Sequence, residues 1–342
     1  MQVLTLRRRR GKMGAVYRLR TPALLACFGL LAAACSSNGD EPAPTSTGSS
    51  GQVAAIVASS DLYVGAPQRV AFGLVLADGN LVSFGSVDVA FSYVGTANAP
   101  TDPQPGPEAT AAYIPTYGTP AGSGGPAVTS PSEGRGVYQA SDVTFDHAGF
   151  WQAEVTADVA DLGSQVSTTT FEVAAEPGIP APGDEAIPSE NLTLDSKGVP
   201  ESAIDSRAAS EGAVPDPGLH EWTIARAIAE GRPALVVFAT PVYCVSKFCG
   251  PVTNMVEELS QEYPDRAVYI HLEIWKDFGT TGADGVVNDA PLEWLVMPNG
   301  DLTEPWLYLI GADGTIVDRW SSMWSEDEVA AELEALPPMA GA

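Results

Sequence analysis

The hydrophobic period changes once along this chain, and that change limits the fold more than any other feature. From Val53 to about Ala174, apolar residues alternate with polar ones or sit in short blocks, and no stretch repeats them at helical spacing. In "SVDVAFSYV", Val87, Val89, Phe91 and Tyr93 share one face. "QRVAFGLVLADGNLVSFG" sets two apolar runs around Asp78-Gly79-Asn80, a hairpin-type turn. "GVYQASDVTF", "GFWQAEVTADV" and "QVSTTTFEVA" continue the pattern. Several short strands with turn signals predict an all-β sandwich over residues 53–175. The Pro-, Gly- and Ser-rich stretch from Asn98 to Arg135 reads as an irregular loop at one end of it.

From Leu219 the pattern is mixed. "HEWTIARAIAEGRP" reads as a helix with Trp222, Ala225 and Ile228 on one face, ended by Gly231 and Pro233. "ALVVFAT" is a continuous apolar run, as in a strand buried on both faces. A segment with two cysteines follows, and then Val252, Met255, Val256 and Leu259 at i, i+3, i+4, i+7 predict an amphipathic helix. "RAVYIHLEIW" is a second strand, and residues 292–296 form a short helical piece. "PWLYLIGADGTIVDRW" is a hairpin turning at Ala312-Asp313-Gly314. Ser325 with Glu328 resembles a capping box that opens a last helix to about Leu336. Residues 176–218, rich in Pro and acid, read as an interdomain linker with little regular structure. With 342 residues, 34 Gly and 28 Pro, two domains and long loops are the expectation.

The N-terminus reads as an export signal. Seven basic residues (Arg7 to Arg10, Lys12, Arg18 and Arg20) precede the first acidic one, Asp40. An apolar run from Ala23 to Ala34 follows, about half the roughly 20 residues a spanning helix needs. "LLAAAC" resembles the bacterial lipobox, with Ala32 at the position where Leu is most usual. The resemblance implies that residues 1–34 are removed, that Cys35 is lipidated, and that the protein is anchored to the cell membrane on its extracytoplasmic face. Residues 36–52, "SSNGDEPAPTSTGSSGQ", have no apolar period and with Cys35 make a flexible tether, 35–52. The whole chain carries a formal charge of −26; removing seven of its 17 basic residues leaves ten against 43 acidic ones, or −33. Such a charge excludes nucleic acid as a partner.

Of the four cysteines, Cys27 leaves with the signal and Cys35 is taken by lipid. Cys244 and Cys249 remain, in a compartment where disulfides persist. The order helix, strand, cysteine segment, helix, strand, helix, hairpin, helix over 219–342 resembles the thioredoxin-like superfamily. "ALVVFATPVYC" is similar to the strand that delivers the reactive cysteine at a helix start. "EPWLYLIGADGTIVDRW" is similar to the stretch in which a Pro, usually cis, precedes a hairpin, here Pro305. "DHAGFW" (Asp146 to Trp151) resembles a corner of immunoglobulin-like domains. The fold expected is therefore multidomain: an immunoglobulin-like all-β sandwich, then an α/β thioredoxin-like domain. The implied chemistry is thiol-disulfide exchange through Cys244 and Cys249, with Pro305 shaping the groove for a partner, itself an exported or membrane protein. No cofactor is implied.

The cysteine spacing departs from the C-x-x-C of thioredoxins. Across five residues a continuous helix rises about 7.5 Å and turns about 140°. The Cα atoms would be roughly 8–9 Å apart, beyond the roughly 7 Å limit for a disulfide. Cys244 must then lie before the helix, or the first turn must unwind. A helix starting at Pro251 would leave both cysteines in the preceding turn. C-x4-C resembles Q-type peroxiredoxins, in which the first cysteine attacks and the second resolves. Here Pro241 stands where that pattern has Thr, and Glu304 lies about where it has Arg. "CGP" at Cys249 is similar to the thioredoxin nucleophile, but Val252 then occupies the resolving position. Cys244 is the preferred nucleophile because it directly follows the buried strand. A helix N-terminus lowers a thiol's pKa, and Lys247 adds to this. "IHLEIW" puts His271 and Glu273 on one strand face. A thioredoxin-like sheet packed against the cysteine helix would bring them near the cysteines, so that Cys244, Cys249 and His271 are weak metal candidates. The Sco copper proteins combine a cysteine pair with a His on this fold. Two further readings stay open: a non-catalytic partner-binding lipoprotein in which Cys244–Cys249 is a structural staple, and copper handling.

Overall fold

A computed structural model describes residues 53–119, 125–130, 136–160, 162–279 and 285–339, with two two-residue strands, Leu4–Thr5, paired with Asp301–Leu302, and Arg18–Leu19, paired with Leu4–Thr5. The rest of the expected signal segment, the tether and Cys35 lie outside the described residues. The chain is β-rich and is built from two packed units.

The first unit holds β1 (Val53–Val57), β2 (Gln68–Leu76), β3 (Leu81–Ser83), β4 (Ser86–Thr96), β5 (Ala99–Pro115), β6 (Val128–Ser130), β7 (Gly136–Val143), β8 (Gly149–Val159) and β9 (Gly163–Val173). They form one antiparallel sheet in the order β9-β8-β4-β5-β7-β2-β3-β6, with β1 on β2. The sheet curls until its ends meet: the Ala55 N–H in β1 donates to Ser167 Oγ in β9 at 2.8 Å. Strict alternation directs Val87, Val89 and Phe91 inward, where Phe91 meets Phe145 and Phe171 edge-on at 5.5 and 6.1 Å. The Asp78-Gly79-Asn80 turn forms as its sequence predicts, with Gly79 at φ +86° and the Asn80 N–H donating to Asp78 Oδ1.

The Asn98–Arg135 stretch departs from expectation. Its first half is not a loop but the 17-residue strand β5, paired along β4. Only residues 112–115 also pair with β7, and Pro115, the one proline among them, is the last residue of the strand. Pro100, Pro103, Pro105 and Pro107 therefore lie where the second edge carries no strand and no N–H is needed. Two bulges in the β4–β5 ladder absorb the misfit.

The second unit is a four-stranded mixed sheet, β11-β10-β12-β13, from β10 (Ala234–Ala239), β11 (Val268–Glu273), β12 (Trp306–Ile310) and β13 (Ile316–Ser321). β10 and β11 are parallel, and the other pairs are antiparallel. Helices α1 (Ile224–Ala229) and α3 (Asp289–Leu295) cover one face; α2 (Cys249–Glu262) and α4 (Glu326–Ala335) cover the other. β10 is buried along its whole length, and its side chains divide by period 2. Val236 and Phe238 face Ile224 and Trp294; Leu235, Val237 and Ala239 face Val252, Val256 and Leu333. Two local expectations change. α1 buries Ile224 and Ala227, while Trp222 lies under the Arg226 guanidinium at 3.7 Å. Ser325 is the N-cap of α4 but makes no side-chain capping bond, and the Glu328 carboxylate pairs with Arg69 of the first unit.

Residues 176–218 join the two units, with only short helical turns at Glu201–Ala203, Ala208–Glu211 and Pro217–His220. Low regularity here does not mean a free tether. Ile179, Ala186, Ala203, Ile204, Asp205 and Ser206 are buried, so the segment is a strap along the second unit. The units also touch directly. Arg319 Nη1 meets Asp61 Oδ2 at 2.7 Å, and Arg69 meets Asp318 and Glu328.

Candidate functional site

The cysteine turn is positioned by strand pairing. β10 ends at Ala239, and β12 runs antiparallel to it with Phe238 opposite Trp306. The residues after Phe238 and those before Trp306 are thereby brought side by side. The first lead through Thr240 into the turn that carries Cys244; the second are Glu304 and Pro305, joined by a cis peptide bond. Across the parallel ladder Glu273 stands opposite Ala239.

Cys244 and Cys249 are disulfide-bonded, with Cα atoms 6.0 Å apart. The five-residue step is accommodated because Cys244 lies in the turn and only Cys249 is helical, as the first residue of α2. Pro251 is the third residue of that helix, where the N–H has no intrahelical partner to lose. The turn is held by the Cys244 N–H on the Thr240 carbonyl (3.1 Å) and by Lys247 in the left-handed region at φ +61°. The two residues differ in burial. Cys249 is fully buried among Val252, Met255 and Trp324, whereas Cys244 is half-buried, 3.1 Å from Ser246 Oγ. Exposed Val242 and Val245 flank Cys244, and the Tyr243 ring stacks on Phe278 at 4.0 Å.

The third group at the pair is Glu304. One of its carboxylate oxygens and both sulfurs lie within 4.8 Å of one another. The side chain is buried, and neither oxygen has a hydrogen-bond partner among the described residues. Burial raises its pKa well above the ordinary value, and neighbouring Glu273 adds to the rise. Glu273, buried as well, is also raised, chiefly by burial; it accepts hydrogen bonds from the Ser206 and Trp275 N–H groups. Glu304 directly precedes the singled-out proline, so its position was visible in the sequence. Its chemistry was not, because burial of a lone carboxyl has no local signal.

His271 does share a strand face with Glu273, but it does not join the cysteines. Its ring points to Asp205, and His220 approaches the same carboxylate. Burial by itself would raise Asp205, but the two rings and Arg207 outweigh it and hold the carboxyl well below its usual range. Burial pushes His220 below its ordinary value. Asp205 and His220 were missed at the sequence level because both lie in or beside the stretch that reads as a linker.

Among the described residues no helix is long and apolar enough to cross a membrane. No family model matches the chain, and no curated protein matches it. Among solved structures, the crystal structure of BslA, a bacterial hydrophobin, matches at 12% identity over 37% of this chain and 95% of that one, with a TM-score of 0.20 that carries no argument.

Proposed function

We propose that this protein exchanges thiols and disulfides with other exported proteins through Cys244 and Cys249. In this reading a thioredoxin-like unit is carried by an immunoglobulin-like sandwich and tethered to the membrane through lipid on Cys35. The observation that carries it is the asymmetry of the pair: Cys244 lies in a partly exposed turn, while Cys249 is fully buried beside a carboxyl whose pKa burial raises. A partner thiolate attacks Cys244 Sγ, the Cys244–Cys249 bond breaks, and its electron pair goes to Cys249 Sγ. That buried thiolate cannot be hydrated, so it takes a proton, and Glu304 is the group placed to give it. A second thiolate of the partner then attacks the mixed disulfide and displaces Cys244. The partner leaves oxidised, and the pair here is reduced; the reverse sequence reduces a partner. The exposed valines beside Cys244 suit an apolar stretch of the partner.

Cys249→Ser leaves Cys244 with no internal resolving thiol, so mixed disulfides with exported proteins should accumulate and be seen on non-reducing gels. Cys244→Ser should accumulate none. Absence of any trapped partner in Cys249→Ser, or equal trapping in both variants, would remove the proposal. The full burial of Cys249 also favours a second reading, a structural staple in a partner-binding lipoprotein. The reduction potential separates the two: a staple lies below about −300 mV, an exchanger well above it. Copper handling loses support as the sequence framed it, since His271 faces away from the sulfurs and toward Asp205.

A further inference from the structure

We propose that Asp205, His220 and His271 form a site for one divalent transition metal, zinc by its donor set, which clamps the strap to the sheet behind the cysteine turn. The three side chains come from separate places: just past one helical turn, the end of another, and the middle of β11. His271 Nδ1 lies 3.2 Å from Asp205 Oδ2, and His220 Nε2 lies 3.4 Å from the same oxygen. All three side chains are completely buried, and their donor atoms fall within 4.8 Å of one another. Zinc–nitrogen and zinc–oxygen bonds of about 2.0–2.2 Å at tetrahedral angles place neighbouring ligand atoms roughly 3.3–3.5 Å apart. The two measured edges, 3.2 and 3.4 Å, lie at or just under that spacing.

The hydrogen-bond pattern points the same way. The His271 Nε2–H donates to the Ala239 carbonyl oxygen at 3.2 Å, since a carbonyl can only accept. In the neutral ring Nδ1 is then a bare lone pair, facing a carboxylate oxygen that is also electron-rich. Two such atoms at 3.2 Å repel unless a metal ion or a proton lies between them. Neither that nitrogen nor either nitrogen of His220 makes a hydrogen bond among the described residues, despite the short separations. A ring N–H on a backbone carbonyl, with the other nitrogen free, is the usual support of a metal-bound His. Arg207 holds Asp205 from outside, Nε to Oδ1 at 3.1 Å and Nη2 to Oδ2 at 2.7 Å, and is itself paired with Asp216 at 2.7 Å. Two carboxylates against one guanidinium leave this neutral-His cluster one negative charge, which favours a cation. The position also matters to the cysteines. Ala239 precedes the turn by one residue, and Ser206, next to Asp205, accepts a hydrogen bond from the Val242 N–H at its Oγ.

The test is the metal content of the full chain purified from zinc-supplemented cells and desalted. The expected result is about one zinc per chain. It should persist in a Cys244→Ser/Cys249→Ser double variant and fall below about a fifth in His220→Gln/His271→Gln. Because the histidine variants can fail by unfolding, the second measurement uses the unaltered chain. Cobalt(II) in place of zinc should give the visible absorption of a tetrahedral N/O site without a sulfur charge-transfer band. Zinc below about a tenth per chain overturns the proposal, and so does zinc that leaves with the cysteines. A metal-free protein whose His271 ring carries protons on both nitrogens by NMR overturns it too, because a proton then fills the gap.

Discussion

Replacing Asp61 by Asn tests whether the two units act as one body. Arg319 is buried, and its guanidinium is offset by one charge, the completely buried Asp61 carboxylate at 2.7 Å. Asp61 has φ +56°, a region Asn enters as readily as Asp, so the change removes a charge without bending the backbone. Removing one partner of a buried ion pair costs about 3–5 kcal/mol. Part of the support remains: Arg319 also donates to the carbonyls of Ile179, Pro180 and Asp61, and lies 5.2 and 5.4 Å from the ring centres of Trp306 and Tyr63. Those contacts hold back about 1 kcal/mol of the loss, leaving an expected cost of about 2–4 kcal/mol. The assay is urea unfolding at neutral pH, with Arg319→Met and the double variant completing a cycle. A coupling energy above about 1 kcal/mol is expected, since the residues touch. If Asp61→Asn costs no more than an ordinary surface change, about 0.5 kcal/mol, the interface is not a clamp and the reasoning fails.

Glu304 gives the site a pH signature. Its folded pKa is raised, so between the unfolded value, near 4.5, and that raised value the native state holds a proton the unfolded state has lost. Stability is full below about pH 4.5 and falls as pH rises, by up to about 1.4 kcal/mol per pH unit. Glu273 acts with the same sign. Glu304→Gln should flatten part of this slope in unfolding curves taken from pH 5 to 8; an unchanged slope would show that Glu304 is solvated. Trp294 is fully buried against Phe238 and Tyr308, and its Nε1–H donates to Ser189 Oγ on the strap. Trp294→Ala should cost about 3–5 kcal/mol in the same assay, and a cost below 1 kcal/mol would mean that the strap does not pack there.

Much of the β architecture was legible because its signals are local. Alternation at Val87, Val89 and Phe91, the Asp78-Gly79-Asn80 turn and the continuous apolar run of β10 each specify an element through a few neighbouring residues. Helical spacing at Val252, Met255, Val256 and Leu259 likewise fixed the buried face of α2, and all four side chains are buried. The sequence also determined the cysteine turn in outline, since a five-residue step cannot be bridged across intact helix. What only the tertiary structure decided depends on groups brought together from far apart in the chain. β5 accepts Pro100, Pro103, Pro105 and Pro107 because one edge carries no partner over that length. Residues 176–218 pack as a strap because the second unit offers them an apolar face, which their own Pro- and acid-rich composition cannot reveal. Glu304 meets the sulfurs through the β10–β12 register, and Asp205 meets His220 and His271 through the path of the strap. Burial raises the pKa of an ordinary carboxyl and makes two ordinary histidines candidate ligands, and burial is a property of the whole fold.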